Sequence, residues 1–337
     1  MADPPRTASA GTFGTAEAVE LATVTRSGFV ESRHAGSAIV VDREGDALVS
    51  LGAPDRPVLP RSCLKPLQAL TAIGIGVELD AEQQAMAMAS HTGTPAHVRI
   101  VRRMLSSGGL GEEDLGCPAE LPGDRAARAA VAAAGTGPSP VYMNCSGKHA
   151  AMLLACVHEG WPTADYLDPE HPLQARIRET VQRFSGERVA ATATDGCGAP
   201  VHAVSLAGLA NAVRRLRTSS LRSPFPLQRQ AATLVQSALD NGWVVEGPGR
   251  PNTIVIDELG VLAKLGAEGV MVMAAADGTT VAVKILDGGA RAGSVVALSL
   301  LGRVGALPSD AVERVKERLG LDVTGGGRVV GRIESSV

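Results

Sequence analysis

The sequence predicts an α+β domain in which one antiparallel sheet is built from both ends of the chain and the middle packs on it as a helical lobe. Three observations carry this. Residues Val19 to Leu51 are β-rich and contain a hairpin signal, and a second hairpin signal lies near the other end. The stretch between shows capping residues followed by helical apolar spacing. Finally, 337 residues with 45% apolar side chains suffice to bury a sizeable core. Strands from both termini around a helical middle are the α+β pattern.

The elements follow in order. Residues 1–16 are small, polar and proline-containing and are expected to form a flexible tail before a single domain over 17–337. Leu21 to Val24, Phe29-Val30 and Ala38 to Val41 read as strands, and Arg43-Glu44-Gly45-Asp46 turns the last of them into Ala47-Leu48-Val49. The helical lobe is expected over about 62–245. Asp80 with Gln83 resembles a capping box, and Thr94-Pro95 reads as N-cap and first residue of a helix ending near Gly108. Further helices are expected at about 147–158, 172–184, 202–217, 226–241 and 309–319. Val270 to Ala274 and Thr280 to Ile285 flank Asp277-Gly278 as the second hairpin, so the sheet is expected from about 17–52 and 253–335. No internal repeat is visible.

Composition excludes several functions. Aromatic residues make up 2% of the chain, so Ala, Val and Leu must fill the interior and few rings remain to stack on bases. A net charge of -3 without a long basic run leaves no footprint for nucleic acid or an anionic membrane. No stretch approaches the apolar length of a membrane helix. The N-terminus lacks the charged-then-apolar pattern of a secretory signal, and the five cysteines (Cys63, Cys117, Cys145, Cys156, Cys197) form no Cys-x-x-Cys pair. Reduced thiols and a cytoplasmic location are the expectation.

The lysines point to the chemistry. There are five, against 27 arginines, and three of them, Lys65, Lys148 and Lys264, lie in clusters rich in small residues. A buried lysine can lose its proton and act as a base or metal ligand, whereas arginine cannot. In Arg61-Ser62-Cys63-Leu64-Lys65-Pro66, Ser62 and Lys65 are three apart, which on a helix puts hydroxyl and amine on one face. Pro66 fits only a first helical turn, so Ser62 is expected at the helix mouth, where free amides favour an oxyanion. Ser90-His91-Thr92-Gly93 places a second serine in a turn of small residues; a plain polar turn would look the same. Lys264-Leu265-Gly266 precedes a C-terminal strand. Serine β-lactamases and penicillin-binding proteins carry a Ser-x-x-Lys helix start, a second serine and a Lys-x-Gly strand in this same order.

Cys145-Ser146-Gly147-Lys148-His149 and the later Asp195-Gly196-Cys197 form the third cluster. Two thiolates could begin a zinc site, but zinc needs at least three protein ligands, and distant cysteines are more often buried hydrophobes. A phosphate-binding loop is ruled out: Tyr142 stands where its first glycine belongs, and His149 where a hydroxyl should hold magnesium.

Taken together, Arg61 to Pro66, Ala89 to Gly93, Asn144 to His149, Asp195 to Pro200 and Lys264 to Gly269 resemble the rhizobial-type L-asparaginase family over about residues 17–335. The resemblance implies a fold similar to serine β-lactamases and glutaminases, a homodimer, and hydrolysis of L-asparagine to aspartate and ammonia. It implies two Ser–Lys pairs, Ser62 with Lys65 and Ser90 with Lys264, and a zinc site at Cys145, Lys148 and Cys197. In the expected mechanism Ser62 attacks the side-chain amide with Lys65 as base. Asp195 is expected at the substrate's α-ammonium and His149 or Arg61 at its α-carboxylate. The rivals are another Ser–Lys acyl hydrolase, such as a glutaminase or a penicillin-recognising protein, and a catalytically silent zinc-binding protein of the same fold. Cys63 adds a thiol beside Ser62 with no assigned role.

Overall fold

The computed structural model describes residues 11–337. Its first three strands, β1 (Val19–Arg26), β2 (Phe29–Val41) and β3 (Ala47–Leu51), form a meander. Ser27 and Gly28 both adopt positive φ, 50° and 80°, the twist-matched geometry of a two-residue hairpin turn. Asp42 makes the next turn by accepting the N–H groups of Glu44, Gly45 and Asp46 on one carboxylate oxygen. The two expected strand pieces at 29–30 and 38–41 are thus parts of one long strand.

Beyond short β4 (Pro57–Val58), a 3-10 turn at Arg61–Leu64 leads into α1 (Lys65–Ile75). Helix α2 (Ala81–Ala87) opens on the Asp80/Gln83 capping box, and α3 (Pro95–Ser107) is capped by Thr94. Next come α4 (Arg125–Ala134), α5 (Ser146–Glu159) and α6 (Pro172–Ser185). β5 (Ala191–Thr194) and β6 (Pro200–Ser205) pair with each other, and β4 joins β6 to complete a small second sheet. The helix expected at 202–217 therefore starts later, as α7 (Leu206–Arg217). Pro200, Val201 and Val204 suit a strand, and Ser205 ends it by capping the helix through the Gly208 N–H at 2.8 Å. Helices α8 (Pro226–Asp240), α9 (Gly242–Val245) and α10 (Pro251–Leu259) close the lobe.

The chain then returns to the main sheet through β7 (Leu262–Gly266), β8 (Val270–Ala274) and β9 (Thr280–Ile285). After α11 (Gly293–Arg303) and α12 (Ser309–Lys316), β10 (Asp322–Gly325) and β11 (Arg328–Ser335) finish it. The order is β10-β11-β1-β2-β9-β8-β7, all antiparallel, with β3 also on β2, so both chain ends build one sheet as expected. Both α7 and α11 pack on β8 and β9, and every residue of those two strands is buried. This is why β8 reads as an unbroken apolar run instead of alternating, while β9 is apolar only from Val281 to Val283 and at Ile285.

Residues 11–16, expected as tail, are partly anchored: Phe13 is 2% exposed and belongs to the core, while residues 1–10 lie outside the described part. A single aromatic among small polar neighbours gave no periodic signal. Within the lobe, α1 is buried from Lys65 to Ile73 and α5 from Ser146 to Cys156, and the two pack on each other. A helix buried all round is a core helix, so the polar residues at these two N-termini are carried deep into the molecule. Among the described residues no helix is long and apolar enough to cross a membrane.

Candidate active site

Four pieces of chain meet here: the turn before α1, the loop after α2, the N-terminus of α5 and strand β7. Ser62 lies in the 3-10 turn, and Pro66 occupies the first turn of α1 as the sequence requires. Just before Ser62, Arg61 adopts φ 53°, a left-handed conformation that costs a non-glycine residue about 1–3 kcal/mol. Its side chain holds the kink: Arg61 Nε donates to Asp195 Oδ1 at 2.7 Å. Ser62 is half-buried, and its hydroxyl makes no hydrogen bond to the described residues.

Both buried lysines converge on the other serine. Lys65 Nζ lies 2.9 Å and Lys264 Nζ 2.8 Å from Ser90 Oγ. Lys65 Nζ also donates to the carbonyl oxygens of Ala89 (2.7 Å) and Asn144 (3.4 Å). Three oxygen acceptors around one nitrogen are the surroundings of an ammonium. Lys264 has one further oxygen partner, Leu265 O at 3.0 Å. Burial, followed by repulsion from Lys65, lowers its pKa to about 7. Ser90 thus links Lys264 to Lys65, while no side-chain hydrogen bond joins Lys65 to Ser62 among the described residues. Ser90 itself is half-buried and pinned by its N–H to Val245 O at 2.8 Å, while each lysine is 1% exposed.

Cys145, Lys148 and Cys197 also come together. Lys148 Nζ donates to Cys197 Sγ at 2.9 Å, and Cys145 Sγ lies 3.1 Å from Asn144 Oδ1. The neighbouring Cys197 thiol outweighs burial and holds the Cys145 pKa well below that of an ordinary thiol, while Cys197 is pushed up in return. Burial disfavours the Lys148 charge, but the two sulfurs beside it raise its pKa overall. Among the described residues no three His, Cys, Asp or Glu side chains gather as a metal cluster, so a zinc ion on these thiols needs Lys148 as third ligand. The donor set fits: two sulfurs and one amine face one another, and a metal would displace the protons they share.

Asp195, in the β5–β6 turn, accepts from Arg61 and, at 2.8 Å, from the Gly196 N–H. Burial opposes its charge, but Lys148 and Arg61 together bring its pKa below the ordinary carboxylate value. His149, one residue past Lys148, is fully buried; its Nδ1 lies 2.6 Å from Tyr166 Oη, and its Nε2 has no hydrogen-bond partner among the described residues. The Tyr166 hydroxyl accepts the Gly116 N–H, so its proton goes to Nδ1 and the unpartnered Nε2 carries a hydrogen.

Sequence reasoning missed two participants. Tyr166 gave no signal, since nothing in the chain announces its fold partner. His91 was visible beside Ser90: its Nδ1 accepts the Gly93 N–H, so Nε2 donates to Ser146 Oγ at 2.8 Å. This neutral histidine clips the Ser90 loop to the start of α5.

Comparison with known proteins gives the class first, a hydrolase of the amidohydrolase kind acting on a small molecule. The chain belongs to the L-asparaginase II family, whose model matches residues 22–335, nearly its whole length. No curated protein sequence matches it. A solved structure of Mglu in its glutamate form superposes with a TM-score of 0.48 at 13% identity, over 82% of this chain. The match spans 62% of the length of that protein, a likeness too distant to argue from.

Proposed function

We propose that the protein hydrolyses L-asparagine to L-aspartate and ammonia through an ester on Ser62. The observation that carries this reading is the Ser90 hydroxyl held between two buried lysines, one of them with a pKa of about 7. Burial, followed by repulsion from Lys65, brings Lys264 close to losing its proton near neutrality. At rest Lys65 is the ammonium and Lys264 the amine. When Ser90 passes its proton to Lys264 and takes one from Lys65, Lys65 becomes a neutral base three residues from Ser62.

Lys65 then accepts the Ser62 proton as Oγ attacks the carboxamide carbon. The Ser62 N–H makes no backbone hydrogen bond among the described residues and could receive the developing oxyanion. Lys65 returns the proton to the leaving nitrogen, ammonia departs, and a β-aspartyl ester remains. Water, deprotonated by the same amine, cleaves that ester to aspartate. Asp195 Oδ2, which has no hydrogen-bond partner among the described residues, suits the α-ammonium. Arg61, which is partly exposed, suits the α-carboxylate. Cys145, Lys148 and Cys197 would hold zinc, which would fix the α5 N-terminus and the Asp195 turn as one substrate wall.

The test is rapid mixing with L-asparagine, acid quench and peptide mass analysis. The expected result is an aspartyl ester on Ser62; an adduct on Ser90 instead would reassign the nucleophile.

A further inference from the structure

The turn that carries Ser62 and the strand that carries Lys264 touch directly, and the contact is made by residues without an assigned role. Cys63 is fully buried, with Sγ 3.1 Å from the Lys264 carbonyl oxygen and 3.9 Å from that of Val270. Burial raises its pKa to about 12, so it remains a thiol with one proton to give, and the nearer carbonyl receives it. Two residues along β7, a Cβ on Gly266 would stand 2.5 Å from the Pro60 carbonyl oxygen and 3.1 Å from Cys63 Sγ. Only a hydrogen fits there, so the turn lies flush against the strand.

We propose that Cys63 and Gly266 form a positioning clamp that fixes Lys264 relative to Ser90 and Ser62. The clamp grips the backbone of the same residue whose amine must reach Ser90. Ser90 is held independently, by its N–H to Val245 O. Loosening the clamp therefore separates Lys264 from Ser90 instead of moving both together. This inference rests on the Ser–Lys reading above.

Cys63→Ala, Cys63→Ser and Gly266→Ala are compared with wild type for kcat, KM and the pH dependence of asparagine hydrolysis, with thermal unfolding recorded in parallel. Misplacement of a proton-transfer group by less than 1 Å should lower kcat about tenfold to a hundredfold in Cys63→Ala, with KM within about twofold. The acid limb of kcat/KM should move to higher pH, since Lys264 escapes both burial and Lys65. Cys63→Ser keeps a donor and should recover most of kcat and the original limb. Gly266→Ala, which pushes turn and strand apart from the other side, should reproduce the alanine defect, and it serves alone if Cys63→Ala does not fold. Loss of unfolding temperature with kcat and the pH limb unchanged would overturn the clamp. Separately, wild-type activity that survives Ser62→Ala would overturn the Ser–Lys reading on which the clamp rests.

Discussion

Lysine is informative in this chain because burial turns it from a surface charge into a titrating group, and three of the five were recognisable by their neighbours alone. If Lys65 must shed a proton, Lys65→Arg should lower kcat by roughly the hundredfold to ten-thousandfold typical of a lost general base, despite the retained charge. Steady-state rates near wild type would make Lys65 an electrostatic support only. For Lys264 the sign is fixed by its lowered pKa. Below about 7 Lys264 is charged and can no longer take the Ser90 proton, so kcat/KM for asparagine should fall about tenfold per unit as pH drops through that value, and level off above it. A profile flat between pH 5 and 8 would contradict the proton-transfer scheme. Lys284 shows the limit of sequence reading, since it looked ordinary yet is buried, donating to the carbonyls of Glu268 and Ile285 at 2.5 and 2.7 Å. It lines a pocket with Arg56, Pro57, Arg61 and Glu268, residues distant in sequence that no local pattern brings to it.

Elements whose ends carry their own chemistry were legible: the Asp80 and Thr94 caps, the Pro66 first turn and the Asp277-Gly278 hairpin all lie where the residues place them. The small β4–β6–β5 sheet was not, because β5 is a short exposed strand of Ala and Thr, and β6 runs straight into a helix. That sheet nevertheless positions the Asp195 turn and Cys197 opposite the start of α5. Zinc is expected to join these two elements. Changing Cys145 or Cys197 to Ser, or Lys148 to Arg, should then lower zinc content and raise the KM for asparagine together, because a permanent cation cannot ligate a metal. Loss of stability alone, with KM unchanged in the folded protein, would return the cysteines to the role of buried hydrophobes.

At the scale of the whole molecule, the α+β class followed from where the β-rich segments lie, and the sheet does draw on both ends of the chain. What the sequence could not show was the distance at which both lysines meet Ser90, 2.9 and 2.8 Å, since that depends on how the α2 loop, α1 and β7 are brought together across the lobe and the sheet. This meeting makes amide hydrolysis through Ser62 the central claim. Ammonia release from L-asparagine, L-glutamine and a β-lactam's hydrolysis, measured on one preparation beside Ser62→Ala, tests it most directly. The account predicts turnover of asparagine above the other two and its loss in a folded Ser62→Ala protein. Asparagine turnover that persists in that variant, or a wild type inert toward asparagine, would contradict it.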